Sequence, residues 1–235
     1  GLMLYEGEAE NYFLLMMQPP KQVKKAAIPP REYIFIVDVS GSMHGFPLNT
    51  SKALLTDLIG NLRPMDRFNV LLFAGGSSVL AEHSLPATKP NIRQAIRFIN
   101  KQQGGGGTQL LPAMKRALAL GGTEGFSRNL VIATDGYVSV EKETFDLIRR
   151  RLNDANLFAF GIGSSVNRFL IEGMARAGMG EPFVVTKPDK AATIAQKFRR
   201  MIEFPVLTDV AIDYGAFDVY DVEPAAIPDV FAERP

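Results

Sequence analysis

Cysteine is absent from this 235-residue chain, which excludes disulfide frameworks, thiolate nucleophiles and cysteine-ligated metal sites. The absence leaves the redox compartment open. Strong net charge is missing too: 26 basic residues stand against 25 acidic ones, so there is no electrostatic footprint for nucleic acid. No apolar run approaches the ~20 residues of a membrane span, and Gly1-Leu2-Met3-Leu4 lacks the charged n-region of a signal peptide. Direct membrane insertion is therefore not expected of this segment. At 46% hydrophobic and 22% charged, the chain can bury a sizeable core, and its length suits one large domain with flanking material. A start within patterned sequence and an end at Arg234-Pro235 read as those of an excised fragment, with targeting signals expected outside it.

What is present is an alternation of apolar strands and amphipathic helices, the pattern of a mostly parallel sheet covered on both faces. Tyr33 to Val37 is a continuous apolar run suited to a central strand. Leu54, Leu55, Leu58, Ile59 and Leu62 recur at helical spacing, and Phe68 to Phe73 reads as the next strand. The tight Gly75-Gly76 connection cannot hold a crossover helix, so Ser77 to Leu85 is expected as an antiparallel edge strand. Helices follow from Pro90 and over Leu110 to Leu120, then a strand at Asn129 to Thr134 and a helix marked by Phe145, Ile148 and Leu152. Leu157 to Ile162 (strand), Phe169 to Ala177 (helix) and Phe183 to Val185 (strand) continue the series. A last helix starts after Pro188 with Asp189 as its N-cap. The fold class is α/β, a doubly wound, mostly parallel six-stranded sheet flanked by helices, with additional flanking β-strands.

The first strand delivers Asp38-Val39-Ser40-Gly41-Ser42 to its carboxyl end, the edge where open α/β sheets bind ligands. A carboxylate and two hydroxyls separated by small residues can point three oxygens at one hard cation. Magnesium is the natural choice, since it takes oxygen ligands and keeps positions for water or a partner group. The strand at Asn129 to Thr134 also ends on an aspartate, Asp135, and a glycine loop, Gly104 to Gly107, presents Thr108. That loop lacks the spacing of a phosphate-binding P-loop. His44 follows Ser42, yet no Gly-x-Ser-x-Gly elbow is present to make a serine hydrolase. An aspartyl phosphotransferase would need an acid where Ser40 stands.

Asp38, Ser40, Ser42, Thr108 and Asp135, in this order and each at its strand end or loop, resemble the von Willebrand factor A domain with its metal-ion-dependent adhesion site (MIDAS). The resemblance covers about residues 31 to 202. It implies Ser40, Ser42 and Thr108 as direct ligands of Mg2+ (or Mn2+ or Ca2+), with Asp38 and Asp135 balancing charge directly or through water, and a carboxylate from a protein partner completing the shell. Two carboxylates leave a dication incompletely screened and so attractive to a further anionic oxygen. Met43, His44, Gly107 and Gly136, next to these positions, are expected to line the ligand face. Asp38 to Met43, the run Leu62-Arg63-Pro64-Met65-Asp66-Arg67-Phe68-Asn69 and the Gly-Gly-Thr loop are more closely similar to bacterial relatives of the inter-alpha-trypsin inhibitor heavy chains. That likeness implies an extracellular, cell-surface or periplasmic setting. Leu85-Pro86-Ala87-Thr88 has the look of a sorting signal but is followed by Lys89-Pro90, so it is expected to be an ordinary loop.

The expected domain plan is an N-terminal strand and linker over 1–30, the A domain over 31–203, and a C-terminal β-segment over 204–235. Asn11 to Met17 and the alternating Val206 to Tyr214 are expected to pair, since lone strands leave backbone groups unpaired. The function expected is metal-dependent protein binding without turnover. Its alternatives are a structural domain whose metal only stabilises and, less favoured, a hydrolase.

Overall fold

The computed structural model describes residues 1–16, 29–152, 155–203, 205–207, 210–222 and 230–231. In chain order the strands and helices are β1 (Leu2–Glu6), β2 (Asn11–Leu15), β3 (Arg31–Asp38), α1 (Phe46–Gly60), β4 (Arg67–Phe73), β5 (Ser77–Val79) and β6 (Leu85–Pro86). After them come α2 (Lys89–Asn100), α3 (Leu110–Ala119), β7 (Ser127–Thr134), α4 (Glu141–Arg151), β8 (Ala155–Ile162), α5 (Arg168–Ala177), β9 (Met179–Val185), α6 (Ala191–Glu203), β10 (Pro205–Leu207) and β11 (Val230–Phe231).

The main sheet runs β5-β4-β3-β7-β8-β9, with β6 also on β4. Neighbours from β4 to β9 are parallel, and β5 and β6 are antiparallel to β4. Every residue of β3 is buried. Its alternate side chains feed two cores, as the period of two requires. Tyr33, Phe35 and Val37 join the core under α1, α2 and α6, whereas Ile34 and Ile36 join the one under α3, α4 and α5. This two-sided burial explains why the strand reads as an unbroken apolar run.

The sheet has seven strands where the sequence suggests six, because the expected edge strand from Ser77 to Leu85 is two short pieces. The buried side chain of Asn69 explains the break. Its Nδ2 donates to the Ala81 carbonyl at 2.8 Å and its Oδ1 accepts the Ala81 N–H at 3.3 Å, replacing ladder bonds between the pieces. Leu85-Pro86-Ala87-Thr88 is likewise more than a loop, since Leu85–Pro86 pairs with β4 and the Thr88 hydroxyl caps α2 through the Asn91 N–H. Asp189 lies inside a 3-10 turn, Pro188–Lys190, ahead of α6 and does not cap that helix.

The flanks differ from expectation. β2 pairs with β1 in a local hairpin, Leu2 opposite Leu15 through Glu6 opposite Asn11. β10 pairs with β11, and residues 210–214 carry no strand. The expected pairing of 11–17 with 206–214 is therefore absent among the described residues, although the Phe13 and Tyr214 rings lie 6.2 Å apart. Met17 and most of the linker expected over 18–30 fall outside the described residues.

Candidate metal centre

The chain leaves β3 toward β4 on one side and leaves β7 toward β8 on the other, so the crevice between the carboxyl ends of β3 and β7 is a topological switch point. Register sets what lies there. Val37 pairs with Ala133, which puts Asp38 beside Thr134, and the two side chains bond: Thr134 Oγ1 donates to Asp38 Oδ2 at 2.6 Å. Asp38 Oδ1 accepts the Ser40 N–H at 2.9 Å. Thr134 Oγ1 in turn accepts the Gly136 N–H at 3.0 Å, linking both loops through one hydroxyl.

Beyond Asp38 the chain enters a 3-10 turn, Gly41–Met43, and the Ser40 and Ser42 Oγ atoms come within 3.3 Å of each other. Ser40 is buried and Ser42 exposed, so the hydroxyl pair reaches from the interior to solvent. Asp135 is 7% exposed. Its Oδ1 accepts the Tyr137 N–H at 3.1 Å and its carbonyl accepts the Asn167 N–H at 3.0 Å. Gly136 adopts φ 76°, and a Cβ there would stand 3.1 Å from the Asn167 side chain, so glycine is required twice over.

The glycine loop is strung between neighbouring backbones. Gly41 N–H donates to the Gly106 carbonyl and Gly105 N–H to the Val39 carbonyl, each at 3.0 Å. The Gln109 N–H donates to the Ala74 carbonyl, beyond β4, at 2.7 Å. Gly104 and Gly106 sit at φ 80° and 77°, which side-chain-bearing residues rarely adopt. His44 is exposed, and its Nδ1 lies 3.1 Å from the Gln103 carbonyl, so this ring braces the loop's entry. Thr108, half-buried on the loop, makes no side-chain hydrogen bond among the described residues. Met43 is fully buried in the core beneath α1, so it anchors the turn and cannot face a ligand, contrary to expectation. Gly107 is exposed and Gly136 buried.

Electrostatics make the crevice short of positive charge. Burial pushes the Asp38 carboxyl above the ordinary aspartate range, hydrogen bonds from Ser40 and Thr134 oppose that, and the nearby Asp135 charge adds to it. Among the described residues no Lys, Arg or His forms an ion pair with either aspartate. Among the described residues no three acidic or histidine side chains converge there as a metal cluster. A cation would therefore rest on hydroxyls with two carboxylates, and such an oxygen set fits a hard divalent ion.

A doubly wound α/β sheet whose switch-point crevice carries an Asp-x-Ser-x-Ser turn has the architecture of a ligand-binding α/β domain. The match to the family model for the von Willebrand factor type A domain spans residues 31–182, and the chain belongs to that family. Domains of this family commonly bind a divalent metal at the MIDAS and mediate protein interactions. Among curated relatives, a von Willebrand factor A domain-containing protein of Dictyostelium discoideum is 29% identical over 204 residues, 86% of this chain and 22% of that protein. The inter-alpha-trypsin inhibitor heavy chain H3 of Bos taurus is 26% identical over 208 residues, 83% of this chain and 23% of that protein. The chain thus spans less than a quarter of either relative. A solved von Willebrand factor type A structure from Catenulispora acidiphila superposes with TM-score 0.66 at 18% identity, covering 74% of this chain and 43% of that one. Mussel byssus proximal thread matrix protein 1, with a zinc-occupied MIDAS motif, superposes at 0.55 and 17% identity, covering 74% and 45%.

Thr134 was not among the expected site residues. The signal was available: a threonine directly before Asp135, on a buried strand adjacent to the one ending in Asp38. Thr134→Val keeps the shape while removing the donor to Asp38 and the acceptor for Gly136. Mn2+ affinity measured by calorimetry is expected to fall about tenfold, as for a group that orients a ligand. Thr134→Ser should restore it.

The raised Asp38 carboxyl gives a pH prediction. A folded-state pKa above the unfolded value adds stability that is fully present below the unfolded pKa and is lost as pH rises through the folded one. Without metal, the ionised buried carboxylate therefore burdens the fold near neutral pH. Urea denaturation in chelator should show Asp38→Asn gaining stability relative to the native protein as pH rises from about 4 to 7.

Proposed function

We propose that this chain is a divalent-cation-dependent protein-binding domain in which Ser40, Ser42 and Thr108 offer hydroxyl oxygens to Mg2+ or Mn2+, Asp38 and Asp135 balance its charge, and an acidic side chain of a protein partner completes the shell. One observation carries the reading. The Ser40 and Ser42 hydroxyls lie 3.3 Å apart on the loop after Asp38, neither Asp38 nor Asp135 is ion-paired among the described residues, and the Thr134–Asp38 bond ties the two loops together. When bound, the ion supplies positive charge that two carboxylates leave partly unscreened.

The chain's own residues do the rest. Asp38 and Thr134 hold the first loop, Asp135 is fixed by backbone donors, and the glycine backbone lets Thr108 approach without side-chain obstruction. Exposed Ser42 and His44 stand at the mouth, where a partner would meet them. Binding without turnover is the activity inferred. Calorimetry with Mg2+ and Mn2+, followed by capture of peptides bearing an exposed aspartate or glutamate with and without the cation, tests it. Saturable cation binding together with cation-dependent capture is expected. Cation binding that raises stability yet never supports capture would favour a purely structural metal, and multiple turnover of any substrate would replace the proposal.

A further inference from the structure

On the proposed reading of the cation centre, we infer that Asn167 is a positioning residue for it, closing the 135–141 loop at both ends and thereby fixing where the Asp135 carboxylate stands. That loop leaves β7 at Asp135, passes through exposed Tyr137 and enters α4 at Glu141. Asn167, at the start of α5, bonds both of its ends. Its backbone N–H donates to the Asp135 carbonyl at 3.0 Å, and its side-chain Nδ2 donates to Glu141 Oε1 at 3.1 Å. Its Oδ1 accepts the Leu170 N–H at 3.1 Å and so caps α5.

The side chain must therefore donate and accept at once. An amide does both, and the Leu170 donor decides which end is the oxygen. Aspartate would cap the helix but hold no proton for Glu141, and serine would cap it without reaching a second helix. Glu141 forms no ion pair among the described residues, so the amide is its partner there. The loop also presses on this corner: a Cβ at Gly136 would stand 3.1 Å from the Asn167 Cβ and 3.3 Å from Leu170 Cδ2.

Asp135 is thus held between two fixed points, the Thr134–Asp38 bond on one side and Asn167 on the other. Among the described residues its carboxylate is held by one bond, from the Tyr137 N–H at 3.1 Å. Released at the Glu141 end, the loop can pivot about Asp135 and carry that N–H away. The carboxylate then turns freely, and a metal ligand that loses its orienting partner loses affinity.

Amide hydrogen exchange of the full chain in chelator, paired with Mn2+ calorimetry, tests this. Asn167→Ala and Glu141→Ala should each speed exchange at Gly136 and Tyr137 about tenfold and lower Mn2+ affinity about tenfold, while α4 beyond its first turn stays protected. Glu141→Gln keeps an acceptor for Nδ2 and should restore most of both. Asn167→Ser keeps the cap alone, so it should remain as impaired as Glu141→Ala. Full rescue by Asn167→Ser, or unchanged exchange at Gly136 and Tyr137 in Glu141→Ala, would reduce Asn167 to a helix cap and overturn the assignment. A native chain that binds no Mn2+ would instead overturn the cation reading, and the exchange data, taken without metal, keep the two failures apart.

Discussion

Asp38→Ala and Asp135→Ala are each expected to lower Mn2+ affinity by more than about a hundredfold, beyond what removal of an orienting group costs. Each variant removes one of only two carboxylates from a crevice whose other oxygens are neutral hydroxyls, and no other acidic cluster among the described residues can substitute. The two should differ in their effect on the metal-free fold. Asp135 has a solvent-facing edge, so its loss removes little beyond one bond to the Tyr137 N–H. Asp38 is fully buried, and alanine there leaves the Ser40 N–H and the Thr134 hydroxyl without their acceptor while also relieving a buried charge. Asp38→Asn separates those effects because it keeps an acceptor for Ser40. In chelator near neutral pH it should be at least as stable as the native chain and still bind Mn2+ poorly. Asp189→Ala, on the turn before α6, should leave Mn2+ affinity unchanged. Native Mn2+ affinity in Asp38→Ala would remove the metal centre from the proposed function.

The crevice that gathers the candidate residues was legible in the sequence because it lies where strand register is self-evident. Tyr33 to Val37 and Asn129 to Thr134 are apolar runs that only a two-sided burial explains, and each ends in an aspartate. Parallel pairing then brings those ends together. What escaped reading depended on individual side chains in three dimensions. A single amide, Asn69, splits the edge strand by standing in for its backbone bonds. Met43 reads as a loop neighbour of Ser42, but the 3-10 turn rotates it inward to the core. Of the flanks, Asn11 to Leu15 was recognised as a strand but with the wrong partner, and the strand expected over 206–214 extends only to Leu207 among the described residues. Leu2 to Glu6 can close on Asn11 to Leu15 through a turn whose Gly7 N–H bonds the Glu10 carbonyl at 3.1 Å. Such a short loop loses far less chain entropy than bringing residues 11 and 206 together.

Phe198→Ala is expected to destabilise the protein by about 3–5 kcal/mol, the usual cost of truncating a buried phenylalanine. Phe198 is 1% exposed on α6, and its ring meets those of Phe158, Phe160 and Phe183 at 5.1, 5.2 and 5.5 Å, each near edge-to-face. Those contacts hold α6 against the sheet on the face that also carries α1, the helix that begins just past the Asp38 loop. Alanine would empty the centre of this cluster, and aromatic pairing adds to the loss beyond the buried area. Hydrogen exchange should then show lost protection along residues 191–202 before the rest of the sheet opens, since the helix has few other large buried side chains. The same cluster bears on conformational coupling. A partner can move α6 only if it binds the two arrangements with different affinity, and that difference must exceed the packing energy of Phe198. In the native protein, exchange protection over 191–202 is therefore expected to stay unchanged when Mn2+ and an acidic peptide are added together. Phe198→Ala is expected to make that protection sensitive to them, and a native helix that loses protection on binding would show the aromatic lock to be weaker than its geometry implies.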